Sequence, residues 1–102
     1  MKNELLEIIQ HYGVNAQQRQ FAEEVFELQE AITTHEVKKF SSSGIPITEI
    51  VETKEHIVEE IADVTVMLKQ FQYYYGIENE FVLALIKGKV DRQLERIKNE
   101  KL

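Results

Sequence analysis

Apolar residues recur every three or four positions in four stretches of this chain, with polar residues filling the faces between them. The first stretch predicts a helix from Asn3 to about Tyr12. It places Leu5, Ile8, Ile9 and Tyr12 together, and Gly13 follows as a stop. The second predicts a helix from Ala16 to about Phe40, with Asn15 as its N-cap and a stripe of Phe21, Val25, Leu28 and Ile32. A third runs from a Thr48 cap to about Tyr75, with Ile57, Ile61, Val64, Leu68, Phe71 and Tyr75 on one side and Gly76 after it. The fourth extends from about Glu78 to the C-terminus and carries Val82, Ile86, Val90, Leu94 and Ile97. Gly88 lies inside it, at a cost of roughly 1 kcal/mol relative to alanine. The strong loop signal is Ser41-Ser42-Ser43-Gly44-Ile45-Pro46.

No stretch alternates convincingly with the period of two that a half-buried strand requires. Val64-Thr65-Val66 is β-prone but sits inside a helical period. The pattern therefore predicts an all-α protein: one domain over residues 1–102, folded as a four-helix bundle. The second and third helices, about 40 Å long at 1.5 Å per residue, are long enough to project and pack against another subunit.

Charge and composition narrow the partners. A formal charge of −6 argues against duplex nucleic acid or an anionic membrane as the main partner. It leaves room for a polyanionic small substrate, because bound Mg²⁺ reverses the local sign. With no cysteine, disulfides and thiolate chemistry are excluded, and a reducing cytoplasm is compatible. The N-terminus carries acids where a signal peptide needs an apolar core, and no apolar run is long enough to span a bilayer. A soluble, cytoplasmic protein is the expectation.

An acidic octet occurs twice: Phe21-Ala-Glu-Glu-Val-Phe-Glu-Leu28 and Ile57-Val-Glu-Glu-Ile-Ala-Asp-Val64. On helices, Glu24 with Glu27 and Glu60 with Asp63 border their apolar stripes on the same side. Two such helices packed by their stripes would bring four carboxylates together, and these repel unless a cation lies between them. Hard divalent cations prefer such oxygen ligands and keep open positions for phosphate oxygens. Acid pairs at this spacing are also common on solvated helix faces, and that bland reading stands beside the metal site. Glu23 and Glu59 point further toward solvent. A di-iron bundle would need Glu-x-x-His pairs, but Ile8, Ile32 and Thr53 stand three residues before His11, His35 and His56.

Glu23-Glu24-x-x-Glu27 followed by Glu60-x-x-Asp63, in this helix order, resembles the signature of the MazG-like all-α nucleoside triphosphate pyrophosphohydrolases. That superfamily also includes the dimeric dUTPases and phosphoribosyl-ATP pyrophosphatases. The resemblance spans essentially the whole chain, although the segment between the half-motifs is long for the family. It implies Mg²⁺-dependent cleavage between the α and β phosphates of a nucleoside triphosphate, giving the monophosphate and pyrophosphate. Mn²⁺ is a substitute metal, and removal of unwanted nucleotides is a fitting role.

By position, Glu24, Glu27, Glu60 and Asp63 would be the main ligands and catalytic carboxylates, with Glu23 a further ligand or supporting acid. Lys87, Asp91 and Arg92 on the last helix match the family's phosphate-holding place, with Lys89 as an alternate; the usual Asn near Asp91 is missing. A homodimer or homotetramer is also implied. Phe40, Tyr12 and the run Tyr73-Tyr74-Tyr75 are candidates to stack on a base. The rival readings are a helical module that binds nucleotide without efficient turnover, and one that docks a partner through an apolar groove.

Overall fold

Four helices follow one another in the computed structural model: α1 (Lys2–Tyr12), α2 (Val14–Phe40), α3 (Ile47–Tyr74) and α4 (Asn79–Glu100). The structure describes residues 1–41 and 44–101, and there is no strand among them, so the protein is all-helical as expected. Ser42 and Ser43 of the expected serine loop lie outside the described residues, as does Leu102.

Two helix starts differ from the sequence pattern. Gly13, at φ +89°, stands at the N-cap of α2, and its carbonyl accepts from the Gln17 amide at 3.1 Å. Asn15 is therefore inside the first turn and caps nothing. Pro46 takes the same position before α3, its carbonyl accepting from the amides of Glu49 and Ile50. That draws Thr48 into the helix.

α2 and α3 pack antiparallel, and the inward positions of each alternate in steps of four and three. On α2 they are Gln17, Phe21, Glu24, Leu28, Ala31 and His35; on α3, Thr53, Ile57, Glu60, Val64, Met67 and Phe71. The second set is the first shifted by a constant 36 residues, Gln17 to Thr53 and Glu24 to Glu60 alike. This step pattern is that of a coiled-coil seam.

The seam is rotated from the stripe that hydrophobicity alone suggests. Ile32, Ile61, Leu68 and Tyr75 are exposed, and Glu60, Met67 and Gln70 are buried in their stead. The buried Gln17 amide donates to Gln70 Oε1 at 2.8 Å, so these two buried amides partner each other. Phe21 meets Phe71 edge to face at 5.7 Å between ring centroids.

α1 lies against α3 and α2, burying Leu5 and Ile9, while Ile8 and Tyr12 of its expected stripe are exposed. α4 behaves differently: among the described residues it packs against no other helix, and all of it except half-buried Val82 is exposed. Its direction is set by an elbow at Gly76, whose φ of +68° suits glycine. The Gln72 amide donates to Ile77 O at 3.1 Å and Asn79 Oδ1 at 2.6 Å, and Lys69 Nζ donates to the same Asn79 oxygen at 2.8 Å. Within one chain the packed unit is thus α1–α3, with α4 projecting from it. No helix is long and apolar enough to cross a membrane among the described residues.

Candidate metal centre

The antiparallel register is fixed by contacts at both ends of the α2–α3 seam. Gln17 meets Gln70 at 2.8 Å, His35 meets Thr53 at 2.8 Å, and Lys38 meets Glu49 at 2.7 Å. The Thr53 hydroxyl donates to Ile50 O, so it accepts from His35 Nδ1–H, which sets that imidazole's tautomer. Carried inward from Gln17 and Gln70, the same register sets Glu24 opposite Asp63 and Glu27 opposite Glu60. The two acidic octets meet midway along the seam because each lies at an equivalent place on its helix.

One carboxylate oxygen from each of Glu24, Glu60 and Asp63 lies within 4.8 Å of the others. Glu60 is only 7% exposed, Glu24 is half-buried and Asp63 faces solvent, so the cluster opens on one side. Glu24 Oε1 accepts from the Gln20 amide at 2.8 Å. Glu24 Oε2 and Glu60 Oε2 are buried and have no partner among the described residues. The basic side chain beside Glu60 is His56, whose Nε2 stands 3.7 Å from Glu60 Oε1, beyond hydrogen-bonding reach. Repulsion from Glu24 holds the Glu27 carboxyl above the ordinary carboxylate range, with desolvation and the Glu60 charge adding to it.

A buried carboxylate oxygen without a donor is costly, and here two of the three cluster residues each carry one. A hard divalent cation would give both orphaned oxygens a partner and offset the repulsion, so the donor set fits Mg²⁺ or Mn²⁺. Glu24, Glu60 and Asp63 are brought together. Glu27 lies beside them outside the tight triad, and Glu23 is exposed on the outer face of α2.

Lys87, Lys89, Asp91 and Arg92 are not brought to the cluster within one chain. They lie on exposed α4, where Lys87 Nζ reaches Asp91 at 3.1 Å. Phe40 and Tyr12 are exposed at the ends of their helices. Sequence reasoning missed Gln20 and His56, the polar neighbours of Glu24 and Glu60. Each stands four residues before its glutamate, and the two are equivalent under the same shift of 36, Gln20 to His56. Extending the octet repeat upstream would have found them.

No protein-family model matches the chain, and no curated protein or solved structure matches it either.

Proposed function

We propose that this chain is a Mg²⁺-dependent nucleoside triphosphate pyrophosphohydrolase of MazG-like type, releasing a nucleoside monophosphate and pyrophosphate. The observation that carries the reading is the convergence of Glu24, Glu60 and Asp63 within 4.8 Å, with buried oxygens of Glu24 and Glu60 lacking partners. Glu24, Glu60 and Asp63 hold the metal in this reading, Glu27 completes the set from across the seam, and Glu23 supports it from the rim. Bound there, Mg²⁺ or Mn²⁺ would offset phosphate charge and lower the pKa of a coordinated water. The chain's own contribution is rigid placement, since the carboxylates project from two long helices whose register is locked at both ends. Lys87, Lys89, Asp91 and Arg92 supply the phosphate-holding groups, the family assembles as dimers or tetramers, and a cytoplasmic nucleotide-cleansing role follows from the same reading.

One feature favours a second reading, a module that binds metal and nucleotide without efficient turnover. In the single chain the basic groups of α4 stand apart from the acids, and Lys87 is engaged with Asp91. Pyrophosphate release separates the two. A panel of canonical and modified nucleoside triphosphates is incubated with wild type and Glu60→Gln, in Mg²⁺ and in chelator. Metal-dependent release lost in the variant supports the enzyme. Folded protein that binds nucleotide in Mg²⁺ but releases no pyrophosphate supports the binding module.

A further inference from the structure

The groove between α2 and α3 continues past the acidic cluster. Toward the Lys38–Glu49 contact it opens into a polar cleft of about 330 Å³. His56 joins the two: it lines the cleft, and its Nε2 stands 3.7 Å from Glu60 Oε1. On the other wall, Glu30 and Thr34 continue the face of α2 that carries Glu27, at steps of three and four. The volume is at the small end of ligand pockets and suits one nucleoside better than a larger molecule.

Charge decides which part of a nucleotide enters this cleft. Three carboxylates, Glu30, Glu49 and Glu52, line it against one lysine, Lys38. Lys38 is already engaged with Glu49 at 2.7 Å, so Glu30 and Glu52 have no compensating lysine within the cleft. Phosphates are repelled there, whereas an uncharged sugar and base are not. With the phosphates on the metal, the nucleoside half points along the seam toward Lys38 and the pyrophosphate half points away from it. Spacing agrees. Glu30 stands three residues beyond Glu27 and His56 four before Glu60, about 5 Å and 6 Å along their helices, so they flank the place where a ribose follows its α-phosphate. Glu52, eight residues before Glu60 and about 12 Å along α3, lies at the level of the base instead. Phe40, Tyr12 and the tyrosine run do not line the cleft, so recognition there is by hydrogen bonding and not by stacking.

We infer that this cleft is a ribose subsite, in which the Glu30 carboxylate accepts hydrogen bonds from the 2′- and 3′-hydroxyls of a ribonucleoside triphosphate. The inference rests on the metal-dependent nucleotide reading above. An ionised carboxylate offers acceptors only, and a ribose diol offers two neighbouring donors. An acidic side chain on the ribose hydroxyls is a recurrent solution in nucleotide sites of other folds. A 2′-deoxyribose lacks one of the donors, and a site built to bond a hydroxyl discriminates against the analogue without it. The chain thus selects by sugar, in favour of ribonucleotides.

Paired ribo- and 2′-deoxyribonucleoside triphosphates of each base, in Mg²⁺, test it through the ratio of kcat/KM for pyrophosphate release. The wild type is expected to favour the ribo form about tenfold, as one hydrogen bond to a charged acceptor at an open rim allows. Glu30→Ala should bring the ratio near one by loss on the ribo side, and Glu30→Gln, which keeps a neutral acceptor, part of the way. Glu30 is exposed, and any general damage to the fold would lower both sugars alike and leave the ratio unmoved. If turnover is absent, Kd values for α,β-methylene analogues of the same pairs in Mg²⁺ give the same ratio. Equal use of the two sugars, a preference for the deoxy form, or a ratio indifferent to Glu30 overturns the inference and leaves the pyrophosphohydrolase reading in place. Failure to bind or cleave any nucleotide in Mg²⁺ overturns both.

Discussion

Glu60→Gln should raise the stability of the metal-free protein and abolish its response to Mg²⁺. In the wild type, Glu60 is 7% exposed, its Oε2 has no partner among the described residues, and carboxylate oxygens of Glu24 and Asp63 lie within 4.8 Å. Two ionised groups at that separation repel by about 3 kcal/mol at an effective dielectric constant near 20. Solvent around Asp63 screens its share, so the expected gain from the neutral isostere is about 1–3 kcal/mol. The amide introduced by the substitution, unlike the carboxylate, also brings a donor to a site where Glu24 Oε2 lacks one. For a domain of this size each kcal/mol moves the Tm by roughly 4–8 °C.

Mg²⁺ acts on the wild type in the same direction. At ten times its Kd it adds about 1.4 kcal/mol, or a Tm increase of roughly 6–11 °C. Thermal melts with Mg²⁺ against NaCl of equal ionic strength separate binding from simple screening. Glu59→Gln is the control, because Glu59 immediately precedes Glu60 on α3 but points to solvent. It should retain the full Mg²⁺ shift, and Glu60→Gln should lose nearly all of it. A Glu60→Gln protein that keeps the Mg²⁺ shift, or a wild type with none, would refute the metal centre. An unchanged metal-free Tm would refute the repulsion argument separately.

Three further outcomes follow from the same geometry. Because Glu27 has its carboxyl raised, by the Glu24 charge first, the folded chain takes up that proton before the unfolded chain does. Stability in chelator should therefore rise as pH falls from above Glu27's raised value toward 4.5, the ordinary value, and Glu27→Gln should flatten the slope in melts across that window. Gln17→Ala strips the donor from buried Gln70 Oε1 and should cost about 1–3 kcal/mol by urea denaturation, whereas Gln17→Leu with Gln70→Leu should cost less than the two single changes together. Gly88→Ala meets open space in the single chain and should increase α4 helicity, adding about 1 kcal/mol; a loss of stability would show that another backbone approaches there.

The sequence was most legible where period and punctuation agreed. The four helices, the glycine stops at Gly13 and Gly76, and the acids flanking a seam all follow from spacing. What it obscured was the rotation of the α2–α3 seam. Hydrophobicity ranks Ile61 and Leu68 as core and Glu60 and Gln70 as surface, yet the packed pair does the reverse. The reason is that α3 has more apolar positions than one neighbour can cover, and a single-chain pattern cannot say which seam meets which partner. α2 resolves the choice by matching step for step the seam that contains Glu60, with Glu24 at the equivalent place. Ile61 and Leu68 then fall to the outer seam. The buried carboxylates and the uncovered apolar surface are thus two consequences of one rotation. Turning α3 the other way would bury Ile61 and Leu68 and expose Glu60. The acid left buried on the inner seam is the physical reason to look for a cation there.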